Sequence, residues 1–407
     1  MINGTMANTP VRQVKAKVEL YNGSTLARTF NSYDALKSIK LERVGEAKFF
    51  GFGYAQKLNF HLRDTKSEIE VTTANTAKVF FNDVNNFPVF KITESHRDEN
   101  TGELSITAYD AIYNDFVVSD LTLSDSYTIR EFANACALLI GASALVIESV
   151  ADNETCFNTY FPTGANFDGT ETIREALNAI AEATQTIYFI NNNNALVFKR
   201  LSVNGEAVLN IDKDLYIDLD SGTNRRLASI VSVTELGDNV SASATYSGTT
   251  QYVRNNPFWD LREDIGVLVD NALAAVGGLT INQFNCFWRG NYLLELGDKI
   301  SLTTKDNQLV NTYLLNDVIS YNGSYSQESK WEYTDSEETA TNPSTLGEQL
   351  KQTYARVDKA NKQIELVASE TSANTDNISA LQINTNSISS SVKSMEVSTN
   401  QSLESIE

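Results

Sequence analysis

Basic residues, histidine, cysteine and long apolar runs are all scarce in this chain of 407 residues. It has 32 Lys and Arg against 52 Asp and Glu, a formal net charge of −20. This balance argues against a reader of duplex DNA, which needs a clustered positive surface, and against docking on an anionic membrane. No apolar run approaches the roughly 20 residues that span a bilayer. The first residues contain no signal-peptide core, which predicts no classical secretion signal.

Cysteine and histidine, which often serve as catalytic residues or metal ligands, are rare in this chain. Cys136, Cys156 and Cys286 are far apart and odd in number, so we expect neither a disulfide framework nor a thiolate cluster. The sequence has no zinc-protease, phosphate-loop, nucleophile-elbow or CxxC motif. His61 lies in an alternating segment typical of a strand, and His96 lies in a polar stretch typical of a hairpin tip. We therefore predict a protein that is not an enzyme and uses no cofactor or metal, leaving open only a region beyond Glu407.

One acidic segment, NIDKDLYIDLDSG, contains Asp212, Asp214, Asp218 and Asp220. Four carboxylates could gather around Ca²⁺, but the spacing lacks the Gly and the Glu of the twelve-residue calcium loop. Apolar residues alternate with the acids, so the favoured interpretation is a strand with one acidic face.

Residues 346–407 differ in composition from everything before them. They follow an acidic, polar linker at 334–345, and Tyr354 is their only aromatic residue. Their apolar residues form two series, each with a spacing of seven and no interruption, which is the a/d pattern of a left-handed coiled coil. Such a rod would be about 90 Å long; a single amphipathic helix packed on a domain is the less favoured alternative. The predicted rod core is Leu346, Leu350, Val357, Ile364, Val367, Asn374, Ile378, Leu381, Ile388, Val392, Met395 and Ile406.

The residue types in this core predict three strands. The a positions are mostly β-branched, and the d positions mix β-branched residues with Leu381 and Met395, whereas parallel dimers prefer Leu at d. A buried polar layer such as Asn374 can fix the register at a cost in stability. We predict a parallel homotrimer, with a dimer as the alternative. The pattern is unbroken at Glu407, which suggests that the native protein continues.

Before residue 334 the sequence predicts a mainly β fold. Period-two alternation marks strands in VKAKVEL, KLNFHL, SEIEVTT, ELSITAYD, LASIVSVTEL and KISLTT. Helices with a threonine cap signal are predicted at 128–140 and 170–184, then a hairpin through four asparagines at 191–194. A third helix is predicted at 261–275, ending at two glycines.

These elements suggest a mainly β protein with an α/β insert and five segments. A first β-barrel domain would cover 1–115, the inserted α/β domain 116–205 and a second β-barrel domain 206–333. The linker at 334–345 and the coiled-coil rod at 346–407 follow. Each β region has the size of a small barrel, whose closure would hide its sheet edges. Two unrelated sheets are the alternative.

The order of these parts resembles the tail-tip or baseplate hub proteins of long-tailed phages. The residues that carry the resemblance are GELSITAYDAIYNDF, TIREALNAIAEATQTIYFINNNNALVFKRL, NPFWDLREDIGVLVDNALAAVGGL and FWRGNYLLELGDKISL. The resemblance covers most of residues 11–333, and its motifs are loose patterns rather than invariant strings. Tyr292 stands where relatives often have a proline, which puts a local turn in doubt rather than the role.

The resemblance implies a structural virion protein at the distal end of the tail. Two similar barrels in each of three subunits would make a pseudo-sixfold ring that adapts the sixfold tail to a threefold spike or fibre and closes or gates the tube. The implied partners are two further copies, the hexameric distal tail ring protein, the C-terminus of the tape measure protein and a downstream spike, fibre or receptor-binding protein. Genome DNA would only pass through. A tail-associated cell-wall hydrolase and a trimeric receptor-binding adhesin are the alternatives.

Overall fold

Most β segments expected before residue 334 are strands in the computed structural model. It describes residues 14–332, except 33, 47, 65–68, 73–74, 99, 151–154, 162–164, 166, 168, 235–238 and 261. The linker and the predicted rod therefore lie outside the described residues, and both remain predictions. Of the SEIEVTT segment only 69–72 are described, and those residues are not in a strand.

Most strands of the first β region bury alternate residues. In its first strand Ala16, Val18 and Leu20 face the core, and Gly23, with φ of 59°, makes the turn into the second. Its strands are β1 (Ala16–Asn22), β2 (Thr25–Asn31), β3 (Leu36–Arg43), β4 (Phe52–Gly53), β5 (Lys57–Arg63), β6 (Asn75–Phe81), β7 (Phe90–Asp98) and β8 (Glu103–Tyr109).

The insert follows and contains two capped helices. The Thr128 hydroxyl accepts a hydrogen bond from the Glu131 backbone N–H at 3.2 Å, and Thr172 accepts one from Glu175 at the same distance. The second helix therefore begins at residue 173 rather than 170, because Thr172 is the cap. Its elements are β9 (Tyr127–Thr128), α1 (Ile129–Leu139), β10 (Leu145–Glu148), α2 (Thr155–Asn158), β11 (Tyr160–Phe161), α3 (Ile173–Thr184), β12 (Ile187–Ile190) and β13 (Leu196–Lys199).

The second β region carries one helix. That helix begins four residues later than predicted, because the chain just before it forms a turn in which Arg262 pairs with Asp264. The LLEL segment is not in a strand, and Gly297, with φ of 78°, lies in the turn between it and the strand that begins at Lys299. The elements are β14 (Leu209–Ile211), β15 (Tyr216–Val233), β16 (Asn239–Ser243), β17 (Thr249–Arg254), α4 (Ile265–Val276), β18 (Thr280–Trp288), β19 (Lys299–Thr303), β20 (Leu309–Tyr313), β21 (Asn316–Tyr321) and β22 (Tyr325–Trp331).

One sheet runs through both β regions. Its strand order is β16-β15-β18-β22-β21-β3-β5-β8-β7-β6-β1-β2, with β17 also pairing with β15. The regions join where β21 pairs antiparallel with β3. Among the described residues no strand pair closes either region, and no closed barrel is found. The mainly β fold with an added α/β part is confirmed, and the two closed barrels are not seen.

Two hydrophobic cores lie beneath these strands, and each takes residues from across the chain. The first-region core also contains Tyr292, Ile319 and Tyr321 of the second region. The larger core joins the insert to the second region and contains the aromatic residues of 49–54 from the first. In that segment β4 pairs parallel with β12 of the insert. The described parts are therefore interlocked rather than connected only through short linkers.

Candidate functional site

Both histidines of the chain lie on one face of the first region. His61 on β5 and His96 on β7 are each in register with Ser105 on the strand between them. His96 thus lies within a strand and not in the predicted hairpin tip. The Ser105 hydroxyl is 3.1 Å from Nδ1 of His61, and a Glu103 carboxylate oxygen is 2.7 Å from the same nitrogen. A Ser-His-acid triad needs the hydroxyl and the acid on opposite ring nitrogens, so this arrangement is not one.

His61, Ser105 and Glu103 form a polar cluster in which hydrogen bonds lower the pKa of the carboxyl group. A hydrogen bond from Lys37, with a smaller one from His61, lowers the pKa of the Glu103 carboxyl. The carboxylate is therefore shared between two side chains on neighbouring strands, a common way to satisfy polar groups on the solvent face of a sheet. As predicted, His61 is a strand residue with satisfied partners.

The acidic segment does not form a single acidic strand. Asp212 and Asp214 lie in the turn before β15, whereas Asp218 and Asp220 lie on that strand and are exposed. Within the described part of the chain, no group of three or more His, Cys, Asp or Glu side chains is placed to hold a metal ion. The four aspartates are therefore not brought together.

The cysteines are ordinary packing residues where they are buried. Cys136 and Cys286 are buried and Cys156 is partly exposed, and none of the three is in a disulfide. Burial, with a smaller contribution from the Asp218 charge, raises the pKa of the Cys286 thiol to about 12. That thiol stays neutral and behaves as a small apolar side chain.

The first half of β15 has an edge that is open among the described strands, and such an edge can bind a strand of another chain. Its second half lies between β16 and β17. Its first half pairs only with β18 among the described strands. An exposed half-strand of this length presents unpaired backbone groups that a further strand can satisfy.

The side chains on this open half of β15 support that interpretation. Ile217 is 74% exposed at a bulge in the pairing, and Phe287 on the neighbouring strand is 39% exposed. Asp218 and Asp220 flank these apolar groups on the open half. An exposed apolar pair beside carboxylates fits an interface core with a polar rim. Sequence reasoning singled out the aspartates but missed Ile217, because alternation suggested that it was buried.

The junction of β3 and β21 holds a buried ion pair. Arg43 donates to both carboxylate oxygens of Asp317 at 2.7 and 2.6 Å, and the two side chains are 3% and 0% exposed. Arg43 also donates to the Leu294 carbonyl, and Gln327 donates to Asp317. The pair is fully hydrogen-bonded, as a buried bidentate pair must be to be tolerated. No local sequence signal marks it, because its members are far apart in the chain.

The remaining predicted site residues, from Leu346 to Ile406, lie outside the described residues, so the rod core is untested. In the part of the chain that the structure describes, no helix is long and apolar enough to cross a membrane. No protein-family profile matches the sequence, and no curated protein sequence matches it.

Solved phage tail proteins share this fold. A tail protein from Neisseria meningitidis is 11% identical, with a TM-score of 0.53 over 77% of this chain and 95% of its own. The 43 kDa tail protein of prophage MuSo2 from Shewanella oneidensis is 11% identical, with a TM-score of 0.52 over 77% of this chain and 97% of its own. A Listeria monocytogenes prophage tail protein gives 11% identity and a TM-score of 0.46, over 78% and 95%. The first two confirm the resemblance to phage tail proteins at the level of the fold.

Proposed function

We propose that this chain is a structural protein of a phage virion and forms a trimeric hub at the distal end of the tail. The observation that carries the proposal is the fold, which matches two phage tail proteins over nearly their whole length. The hub adapts the sixfold tail to a threefold spike or fibre and closes or gates the tail tube. Its partners are two further copies, the hexameric distal ring protein, the C-terminus of the tape measure protein and a downstream spike, fibre or receptor-binding protein.

The proposed mechanism is geometric and needs no catalysis. A trimer that meets a sixfold ring must offer two contact surfaces in each subunit. The two β regions, which we propose as domains at about 1–115 and 206–333, supply them, with the α/β insert at 116–205 between them. The linker at 334–345 leads to the rod at 346–407, whose a and d residues set the threefold axis.

The open half of β15 supplies a second contact between subunits in this proposal. It lies close to one end of the sheet order, and β2 stands at the other end. Strand β2 of a neighbouring copy would pair with the open half of β15 and cover Ile217. The acidic net charge of each subunit would repel DNA from the channel wall and let the genome pass without sticking.

Solution mass tests the trimer. Light scattering of the purified chain should give about three times 45.0 kDa. Ile364→Asp with Ile378→Asp should abolish the trimer, because each change buries a charge in the rod of every subunit. A monomer at micromolar concentration with the rod intact would contradict the proposal.

The open half of β15 has its own variant and its own control. Ile217→Asp should weaken the trimer while leaving the unfolding free energy of the monomer nearly unchanged, because the side chain is mostly exposed. Val267→Asp is the matched control, since Val267 is 58% exposed but lies near the start of α4, beside β16 rather than on the open half of β15. If Ile217→Asp and Val267→Asp weakened the trimer equally, the open half of β15 would not be part of the interface between subunits.

A further inference from the structure

Two edges of the main sheet that are open among the described strands carry exposed apolar residues. Strand β2 ends the sheet order, and its outer edge has no partner among the described strands. Leu26 on β2 is 49% exposed, and Ile217 on the open half of β15 is 74% exposed. Edge strands of soluble proteins are usually protected by charged residues, so an exposed apolar residue at each edge indicates that both edges are covered in the assembled protein.

A single row of paired residues connects these two edges across the solvent face of the sheet. It begins with Leu26, which is paired with Tyr21 on β1, and it takes one residue from each strand between β2 and β15. It ends with Phe287 on β18 and Asp218 on β15, and Ile217 directly precedes Asp218 at a bulge in this pairing. None of the residues in the row is buried. Because residues paired on neighbouring strands point to the same face, Leu26 and Asp218 share the solvent face.

The strand directions allow this row to continue from one copy into the next. Ten antiparallel pairs in succession join β2 to β15, so the two strands run in the same direction. A copy related by rotation about an axis along the strands therefore presents its β2 parallel to β15. Strand β15 already pairs in parallel with β17 along its second half. The seven residues of β2 fit within the open half at 216–226.

The charges near the two edges have opposite signs. Residues 15–31 and 75–83, which include β1, β2 and β6, contain four Lys and Arg against two Asp and Glu. Residues 216–224 contain two aspartates, Asp218 and Asp220, and no Lys or Arg. These aspartates would oppose a contact between the β15 edges of two copies and favour a contact between a β15 edge and a β2 edge.

We propose that Leu26 of one copy packs against Ile217 of the next, with β2 parallel to the open half of β15. The row of paired residues then closes across each subunit boundary, and the sheets of three copies form one ring. Every contact in this ring joins unlike edges, and neither edge stays open once the third copy meets the first. The inference rests on the trimeric hub proposed above and adds the residues and the register of its β2–β15 contact.

Charge changes at Leu26 test the contact. An aspartate in Leu26→Asp would face Asp218 and Asp220 of the next copy, so the concentration at which the trimer dissociates should rise at least about tenfold. Leu309→Asp is the matched control and should leave the trimer unchanged, because Leu309 is 61% exposed but lies on β20 in the separate three-stranded sheet. Adding Ile217→Lys to Leu26→Asp should restore part of the loss. Equal weakening by Leu26→Asp and Leu309→Asp, or no recovery with Ile217→Lys, would overturn the proposal.

Cysteine pairs test the register. A disulfide needs Cα atoms within about 7 Å of each other, so Leu26→Cys with Ile217→Cys should link copies of the full chain into covalent dimers and trimers on a non-reducing gel. Leu26→Cys with Asn224→Cys is the control pair and should not link, because Asn224 is exposed on the same half of β15 but about 23 Å further along it. Each single variant should form no covalent species, which controls for the native cysteines.

The outcomes separate this contact from the trimeric hub. If both cysteine pairs link equally, or if neither links in a chain that light scattering shows to be trimeric, the contact between Leu26 and Ile217 is overturned and the hub is unaffected. A monomeric parent chain would overturn both.

Discussion

The two β regions share most of one strand plan and differ at its end. Each contains a hairpin, β1–β2 in the first region and β15–β16, after the short strand β14, in the second. The first strand of the hairpin pairs antiparallel with a later strand, β6 or β18. The later strand, β6 or β18, then pairs with one strand of a second hairpin, β7–β8 or β21–β22. In the first region β6 pairs with β7, the first strand of its hairpin, whereas β18 pairs with β22, the second strand of its own.

The path of the chain after β18 explains why β18 pairs with β22 and not with β21. After β18 the chain leaves the main sheet to form β19 and β20, which pair with each other and with β14 in a separate sheet. It returns with β21 in the outer position, where β21 meets β3 of the first region. The strand plans of the two regions agree at the hairpins β1–β2 and β15–β16 and differ at the later ones, so the structural similarity of the two regions stays a prediction. The difference is what joins the regions into one sheet.

The largest expected effect comes from breaking that junction. Arg43→Met would leave Asp317 buried without its cation, and we expect a loss of about 3–5 kcal/mol in the free energy of unfolding. Urea unfolding followed by circular dichroism measures it. The double variant Arg43→Met/Asp317→Leu should recover most of the loss, because no unpaired charge remains. A loss below about 1 kcal/mol for the single variant would mean that the junction tolerates the charge.

A smaller effect should come from the segment that the first region contributes to the other core. Gly53→Ala would place a methyl group into the Tyr188 ring, and we expect a loss of about 1–3 kcal/mol. Thermal unfolding of the variant beside the parent chain is the measurement. An unchanged Tm would indicate that β4 can move away from β12 without cost, and the interlocking of the cores would then be weak.

The smallest effect concerns α4, which has no counterpart among the described residues of the first region. Gly266 lies in this helix, and a Cβ there would meet only Val240 at 4.0 Å. Gly266→Ala should therefore raise the free energy of unfolding by about 0.5 kcal/mol, through the lower entropy of the unfolded chain. Urea unfolding measures the gain. A lower free energy of unfolding in Gly266→Ala would show that α4 needs glycine at this position for a close contact.

Local signals in the sequence predicted local structure well. Thr128 with Glu131 predicted the start of α1 because a capping box acts within four residues. Asn22-Gly23 and Asn322-Gly323 are dipeptides typical of hairpin turns, and both glycines have positive φ.

Pairing between distant segments escaped prediction. Arg43 meets Asp317 across 274 positions of sequence, and alternation alone cannot indicate that β21 pairs with β3. Alternation favoured a buried Ile217, but the residue lies at a bulge in the pairing with β18 and is exposed. The aromatic residues and glycines at 49–54 were a usable signal for the close contact of this segment with the insert, since glycine in a strand often marks the close approach of another group.

Imaging of the purified full chain by electron microscopy tests the proposed hub most directly. We predict particles with threefold symmetry in which six β lobes, two from each subunit, alternate around a central channel. Particles without a threefold axis, or a trimer in which the two β regions of each subunit do not alternate around one ring, would contradict the proposed adaptation from sixfold to threefold symmetry.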